Sequence, residues 1–218
     1  MGRTILSPKN KIEIQREYIG KILLFCEGMS EKHYLDYFKD IISKNKFTEI
    51  KIETESADGN ARTVFNFAEK FLSEDENISR YIHHKKYLVF DCDDPSNIQD
   101  VIIDMNNSSH NYSLLVSNFR FETWLLMHFE YVYDHISKRD LSMHLTAHLK
   151  DEYKKADAGI IREIINNGNI EEAIKNGHEL ENKYISERKT ILSNIKEMNP
   201  YTNIHTLIEQ FMLEISSN

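Results

Sequence analysis

The sequence KKYLVFDCDDPSN, residues 85–97, decides the fold of this chain. Its apolar run, residues 87–90, is rich in strand-forming side chains and is closed by the turn-forming DPSN of residues 94–97, which predicts a buried strand that ends at the aspartates. Side chains two residues apart on a strand point the same way, so we expect Asp91 and Asp93 to project together. Such carboxylates repel one another unless one keeps a proton or a cation lies between them. A plain aspartate-rich turn accounts for these residues equally well.

A second apolar run, ILLFC at residues 22–26, precedes a carboxylate in the same way. A continuous run of this kind is typical of a strand that is covered on both faces. It stops at Glu27 and Gly28, where glycine permits a tight turn, and Ser30 is suited to cap a helix that we expect over residues 31–44. The pattern therefore predicts a strand, a carboxylate, a glycine turn and a helix in immediate succession.

The segments around these two strands alternate between strand and helix patterns. Further strands are predicted over residues 47–55 and 111–116, and helices over residues 63–72 and 98–105. The order β-α-β-α-β-α-β indicates the α/β class, with a parallel or mostly parallel sheet of four strands that is flanked by helices and joined by right-handed crossovers.

Strand patterns stop after Arg120, and the rest of the chain is predicted to be helical. The expected helices cover residues 121–129, 141–149, 157–167, 170–196 and 204–215. We therefore expect three parts, which are a lead-in over residues 1–20, an α/β core over residues 21–135 and a helical C-terminal extension over residues 136–218 that packs on the core.

The composition argues against several classes of protein. Glycine and proline are scarce, at 7 and 3 residues, which disfavours disorder, repeats and an all-β fold with many turns. The net charge of −8 disfavours a stand-alone, high-affinity nucleic-acid binder, which usually has a basic face. It leaves room for an enzyme whose carboxylates hold metal ions, or for a subunit whose partner supplies the basic surface.

The cysteines and the hydropathy indicate where the protein is found. Cys26 and Cys92 both fall in predicted strands, which suits buried, reduced thiols, although a bridge between them stays open if their strands are neighbours. The longest apolar runs are far shorter than a membrane span, and the N-terminus lacks the apolar core of a signal peptide. We therefore expect a cytoplasmic protein with no membrane partner.

Acidic side chains gather at one end of the predicted sheet. Glu27 follows the first strand, Asp91 and Asp93 follow the third, and Glu122 comes shortly after the fourth. Ligands of open α/β sheets bind at the carboxyl ends of the strands, and neighbouring strands lie about 4.8 Å apart, so these groups can meet if the first and third strands are neighbours. An oxygen-only donor set suits Mg²⁺ or Mn²⁺ better than zinc, and such a site can activate water and neutralise charge on a phosphodiester.

The remaining candidates each have a structural alternative. Glu31 is either a charge at the helix N-terminus or a further ligand, and Glu122 is either a ligand or half of a salt bridge with Arg120. The run Tyr153-Lys154-Lys155 either supplies a lysine, taken here as Lys154, that stabilises the charge of a leaving phosphate, or forms a solvated basic patch. His128 lies well off the helix face of Glu122 and is expected to be a core histidine. The ten histidines have no metal-ligand spacing beside cysteines, so they predict no zinc site.

The acidic pattern resembles the Toprim domain of topoisomerases, primases and the nucleases of the overcoming-lysogenization-defect family. In that domain a glutamate follows the first strand and an Asp-x-Asp follows the third. Glu27 corresponds to the glutamate, and Asp91 and Asp93 correspond to the Asp-x-Asp. The order of the two motifs, with a strand and helix between them, makes the resemblance more specific than either motif alone.

A resemblance that covers most of the chain is to the RloB-like family. It rests on four segments, which are FCEGMSE at 25–31 with Tyr34 and Phe38, FDCD at 90–93, SNFRFETWLLMHF at 117–129 and NPYT at 199–202. The third segment is long enough to be specific, and it departs from the family pattern at Phe119-Arg120, where a proline and a small residue are expected.

The family resemblance implies a Toprim-like nuclease that uses Mg²⁺ or Mn²⁺ and works with an ATPase of the ATP-binding-cassette or AAA type. Its role would be prokaryotic defence against phage or foreign DNA, with DNA or tRNA as the nucleic acid that is cut. Two other functions stay open. One is a non-catalytic sensor or regulatory subunit that binds the ATPase and a phosphorylated ligand, and the other is nucleotidyl or pyrophosphate transfer. A homodimer is also left open, and the absence of a G-x-x-x-x-G-K-[ST] loop argues against ATP hydrolysis by this chain.

Overall fold

A five-stranded sheet organises the fold, which a computed structural model describes over residues 19–42, 48–54, 59–92 and 98–216. The strands of this described part are β1 (Lys21–Cys26), β2 (Glu49–Thr54), β3 (Lys85–Asp91), β4 (Ser113–Asn118) and β5 (Tyr201–Thr202). Their spatial order is β2-β1-β3-β4-β5, and the first four in the chain are parallel. The predicted α/β class and mostly parallel sheet are confirmed, but the sheet has a fifth, antiparallel strand in addition to the four that were predicted.

The two apolar runs form adjacent central strands. β1 pairs with β3 in parallel register, with Leu24 opposite Tyr87 and Cys26 opposite Val89. Both strands are buried after their first residue, because helices cover the two faces of the sheet. The first and third strands are therefore neighbours, as the predicted carboxylate site requires.

Helices connect the parallel strands and build the C-terminal half. The crossover helices are α1 (Met29–Ile42), α2 (Ala61–Ser73), α3 (Asp75–Tyr81) and α4 (Ile98–Asn107). The helices that follow β4 are α5 (Glu122–Leu126), α6 (Lys138–His148), α7 (Ala158–Asn167), α8 (Ile170–Ser186), α9 (Ile191–Asn194), a 3₁₀ turn (Ile195–Glu197) and α10 (His205–Ser216). None of the described helices is long and apolar enough to cross a membrane.

Three predicted elements differ from the structure. The helix expected over residues 170–196 ends at Ser186, because Arg188 adopts a left-handed backbone with φ of 58°. The helix expected over residues 121–129 is regular only over Glu122–Leu126. Ser30 lies inside α1, which begins at Met29, so it does not occupy the predicted cap position. The short helix α3 was not predicted.

The fifth strand attaches the helical half to the sheet. β5 pairs antiparallel with β4, with Ser117 opposite Thr202. Next to it, the Asn203 side chain accepts a hydrogen bond from the Val116 N–H (2.7 Å) and donates one to the Leu114 carbonyl (2.8 Å). The C-terminal helices therefore pack on the same sheet as the crossover helices. Cys26 and Cys92 are both buried, and neither forms a disulfide bond.

Candidate metal centre

Asp91 lies at the carboxyl end of the central strand β3 and is the most strongly perturbed acid of the site. Its side chain is buried, and neither of its carboxylate oxygens has a hydrogen-bond partner among the described residues. Burial raises the pKa of Asp91 well above its ordinary value, and the charges of Glu31, Glu27 and Glu122 raise it further, whereas Lys155 lowers it. Four acidic side chains therefore act on one another at this end of the sheet.

Glu27 follows β1 and is fixed to the neighbouring strand. Its backbone N–H donates to the Val89 carbonyl (2.9 Å), which extends the pairing of β1 with β3 by one residue. Its Oε2 accepts the backbone N–H of Asp91 at 2.9 Å, so the two acids lie side by side as predicted. This bond keeps Glu27 in place although it is buried close to another carboxylate.

Glu31 reaches the same place from the first turn of α1. It is buried, and its Oε2 has no hydrogen-bond partner within the described ranges. Burial raises the pKa of Glu31 to about 7, although backbone N–H groups and Lys155 oppose the rise. A Cβ on Gly28 would lie 3.0 Å from Glu31 Oε2, so the glycine leaves the space that this carboxylate occupies. Glu31 is therefore partly protonated near neutral pH.

Glu122 enters from the start of α5, directly after β4. Its Oε1 accepts a hydrogen bond from the Tyr153 hydroxyl at 3.0 Å, while Oε2 is buried with no partner in the part of the chain that the structure describes. Burial and the charge of Glu122 raise the pKa of Tyr153, which therefore remains a hydrogen-bond donor. We call Glu27, Glu31, Asp91 and Glu122 the carboxylate cluster.

The lysine that acts on this cluster is Lys155. Partial burial lowers its pKa, but the carboxylates of Glu122, Asp91 and Glu31 outweigh burial and raise it above the ordinary value. The backbone around it is fixed to α1, because the Ala156 N–H donates to the Ser30 hydroxyl at 3.0 Å. Lys154, the lysine singled out from the sequence, is exposed, and its carbonyl accepts the N–H of Asp157.

A small cleft of about 160 Å³ opens beside Glu122. Three of the residues that line it are basic, which are Arg120, Lys138 and Lys155, and the others are Glu122, Leu141, Ser142 and Tyr153. A chain with a net charge of −8 thus places several cations next to its buried acids. Such a combination is suited to a bound phosphate that lies between cations and a metal site.

Two further predicted residues have different outcomes. Asp93 lies outside the described residues, so its position is not part of the cluster defined above. His128 is buried, and one ring nitrogen shares a hydrogen bond of 2.9 Å with the Tyr34 hydroxyl. Burial lowers the pKa of His128 to about 4, which keeps the ring neutral. It is a core histidine, as expected.

The model of the RloB-like protein family matches residues 22–211. The chain belongs to the RloB-like family. Comparison of this RloB-like protein with curated proteins and with solved structures gave no significant match. The resemblance that rested on the FCEGMSE, FDCD and SNFRFETWLLMHF segments is confirmed, and the structure brings Glu27, Asp91 and Glu122 from these three segments to one end of the sheet.

Two residues of the site in this RloB-like protein lie beside Lys154, the residue chosen from the sequence, and were not chosen themselves. Tyr153 and Lys155 belong to a short Tyr-Lys-Lys run that is visible in the sequence, but nothing local indicates which side chains face the sheet. Their position depends on the contact between Ala156 and Ser30, which are 126 residues apart. A local pattern does not reveal a contact of that range.

The donor set suits a hard divalent cation. The carboxylate cluster offers only oxygen ligands, and Asp91, Glu31 and Glu122 have buried oxygens that no described residue satisfies. Within the described ranges, no three acids of the cluster bring their oxygens to within 4.8 Å of one another. As these side chains stand, fewer than three of the acids could therefore share one ion, which would take its other ligands from water, as Mg²⁺ commonly does.

Proposed function

We propose that this RloB-like protein is a divalent-metal-dependent nuclease that hydrolyses phosphodiester bonds of DNA or tRNA. The observation that supports the proposal most directly is the burial of like charges in the carboxylate cluster beside a basic cleft. Burial of several acids close to one another costs stability, and perturbed acids in a cleft are a frequent property of active sites. The Toprim-like position of Glu27 and Asp91 at the ends of adjacent strands supports the same reaction class.

Mg²⁺ or Mn²⁺ would be held by Asp91, Glu31 and Glu122, with Glu27 and the family-matched Asp93 as further candidates. When bound, such an ion activates water and neutralises charge on the phosphodiester. Glu27 is already hydrogen-bonded to the backbone of β3, so its part would be to fix the position of Asp91 and to add negative charge.

The basic residues of the cleft would position the substrate. Lys155 is exposed to solvent and also acts electrostatically on the carboxylates, so it would contact the phosphate that is cut. Arg120 and Lys138 also line the cleft and would hold a neighbouring phosphate. Tyr153 would keep Glu122 in a single orientation through its hydroxyl.

The effector would act with an ATPase of the ATP-binding-cassette or AAA type in defence against phage. Family membership supports this partner, and the net charge of −8 supports the view that a partner contributes to nucleic-acid binding. The same charge favours a second candidate, a regulatory subunit that binds the ATPase and a phosphorylated ligand without cutting it. The two candidates differ in their need for ionised carboxylates. The nuclease needs them to hold its metal ion, whereas the regulatory subunit does not.

The test is an Asp91→Asn variant, assayed on DNA and total tRNA with Mn²⁺, with and without the partner ATPase. We expect cleavage to fall by about 100-fold or more, since loss of a charge that stabilises the transition state has an effect of this size. Calorimetric titration of Mn²⁺ should show the loss of affinity in parallel. The matched control is Asp75→Asn, an exposed aspartate of α3.

Cleavage by Asp91→Asn at the wild-type rate would remove Asp91 from the proposed site. A wild-type protein that binds no Mn²⁺ and cuts neither substrate with its partner present would favour the regulatory subunit. If metal affinity and cleavage disappear together only in Asp91→Asn, the nuclease is supported, and the substrate that is cut identifies the class of nucleic acid.

A further inference from the structure

Two histidines and a glutamate come together in the helical half of the chain. His178 and Glu181 lie three residues apart on α8 and therefore share a face of that helix, and His205 is the first residue of α10. The helices α8 and α10 pack against each other. Within the described residues, one ligand atom from each of the three side chains lies within 4.8 Å of the other two. We call this group the histidine cluster.

The deepest member of the histidine cluster is held in place by the helix beside it. His205 is fully buried, and its Nδ1 has no hydrogen-bond partner among the described residues. A Cβ on Gly177 would lie 2.6 Å from both Cγ and Nδ1 of His205, so only glycine lets the ring pack this closely against α8. Its Nε2 is 3.2 Å from Glu181 Oε2. The ring is therefore positioned before any ligand arrives.

The other members face the solvent in part. His178 and Glu181 are partly exposed, and the rings of His178 and His205 meet edge to face with centroids 4.5 Å apart. Glu209 lies one turn after His205 on α10, and its Oε2 is 3.3 Å from His178 Nε2. An ion can thus reach the group from outside, with His205 behind it and a second carboxylate beside it.

We propose that His178, Glu181 and His205 form a binding site for a zinc-type divalent transition-metal ion, with Glu209 as a fourth ligand or a partner of His178. Imidazole nitrogens with one or two carboxylates are ligands of Zn²⁺, whereas Mg²⁺ and Ca²⁺ prefer sites made only of oxygen. A tetrahedral ion with bonds of about 2.0–2.1 Å has ligand atoms roughly 3.4 Å apart, so modest side-chain rotation closes the site.

The bound ion would join α8 to α10 and so fasten two helices of the C-terminal half. α10 also contacts the start of the sheet, because Glu214 accepts hydrogen bonds from the Ile19 N–H and the Thr48 hydroxyl, both at 3.1 Å. An ion in the histidine cluster would therefore stabilise the attachment of the helical half to the sheet. This role does not depend on the reaction at the carboxylate cluster.

The experiment is a calorimetric titration of Zn²⁺ into metal-stripped full-length protein in excess Mg²⁺, with Co²⁺ absorption as a second probe of nitrogen ligands. The Asp91→Asn protein is titrated in parallel, so that binding at the carboxylate cluster is separated from binding at the histidine cluster. We expect one Zn²⁺ per chain in both proteins. Binding should also raise the unfolding temperature, because the ion binds the folded state.

His178→Ala and Glu181→Gln are the test variants, because both side chains are partly exposed and their loss should leave the fold intact. We expect each to weaken Zn²⁺ binding by more than about 100-fold, since loss of even an outer-shell partner costs about 10- to 100-fold in affinity. The matched control is His144→Ala, which removes a histidine from another His–Glu pair, with His144 Nδ1 2.5 Å from Glu130.

Retention of Zn²⁺ binding by His144→Ala and its loss in the two test variants would support the site. Three results would overturn it. The first is that the wild type binds no Zn²⁺ in excess Mg²⁺, the second is that both test variants bind Zn²⁺ as tightly as the wild type, and the third is that binding is lost in His144→Ala instead. The first of these would leave the histidine cluster as a hydrogen-bonded contact between helices.

Discussion

The carboxylate cluster and the histidine cluster both collect titratable side chains from separate elements, but they differ in how charge is balanced. In the carboxylate cluster, like charges are buried and several oxygens have no partner in the described part of the chain. In the histidine cluster, each histidine already contacts a glutamate. The charge of the first group can therefore be balanced by bound protons or by an added cation, whereas at the second a metal ion must displace existing hydrogen bonds.

The largest effect that would sharpen this comparison concerns the cation of the carboxylate cluster. Lys155→Ala removes a lysine whose charge lowers the pKa of Glu31 and of Asp91, and it also removes a proposed phosphate contact. We expect the rate of cleavage to fall by about 10- to 100-fold. The rate should also need a higher pH, because the two acids lose a charge that favours their ionised forms.

The adjacent lysine supplies the control for this experiment. Lys154→Ala removes the same charge from an exposed position of the same loop and should leave the cleavage rate within about twofold of wild type. Initial rates measured over a range of pH, with Mn²⁺ and the partner ATPase, separate the two variants. Equal losses in both would show that the loop contributes only a general positive charge.

The carboxyl ends of the strands could be predicted because that part of the fold depends on local patterns. The apolar runs before Glu27 and Asp91 specify buried strands, and parallel pairing then places the two acids side by side. Tyr153 and Lys155 could not be predicted in the same way, since their loop is placed by a contact with the distant Ser30. The two-residue strand β5 is too short to have a periodic pattern.

The helical half was harder to predict in detail. The apolar pattern after Ile170 continues beyond Ser186, but the chain turns at Arg188, whose left-handed backbone no local signal required. His178 and His205 were not predicted as a group, because their spacing along the chain fits no metal motif. Only the packing of α8 on α10 brings them together.

A smaller effect concerns the stability of the carboxylate cluster as a function of pH. The pKa of Glu31 is about 7 in the folded protein and ordinarily 4.5, and burial also raises the pKa of Asp91. Between pH 4.5 and about pH 7, the two pKa values of Glu31, the folded state binds more protons than the unfolded state. The free energy of unfolding therefore falls as the pH rises through that window. Without metal we expect a loss on the order of 2–3 kcal/mol between about pH 5 and about pH 8.

Urea unfolding at several pH values, with EDTA or with Mn²⁺, measures this effect. Mn²⁺ binds the ionised acids, so it should restore most of the stability at the upper end of the range and little at the lower end. Glu31→Gln should flatten the curve in EDTA, whereas Glu179→Gln, at an exposed position of α8, should not. A curve that stays level in EDTA for the wild type would contradict the burial of ionised carboxylates at this site.

The smallest expected effect tests the histidine cluster without any metal. In Gly177→Ala the new methyl group would lie 2.6 Å from two atoms of His205, a clash that typically costs about 1–3 kcal/mol. Alanine is also the better helix former by about 1 kcal/mol, so the net loss of stability should be about 1 kcal/mol, or roughly 2–4 °C in unfolding temperature.

The sign of the Gly177→Ala effect is therefore more informative than its size. A loss means that His205 cannot move away from α8 and that its ring is fixed before a ligand binds, as the proposed metal site requires. A gain in stability means that the ring moves away from the methyl group and that the histidine cluster is not rigid. Gly159→Ala in α7 is the control, because its methyl group would approach only the Asp157 side chain, at 3.1 Å, so the higher helix propensity of alanine should leave stability unchanged or raise it by up to about 1 kcal/mol. A rigid histidine ring beside partly exposed ligands would distinguish a preorganised metal site from a contact that only joins two helices.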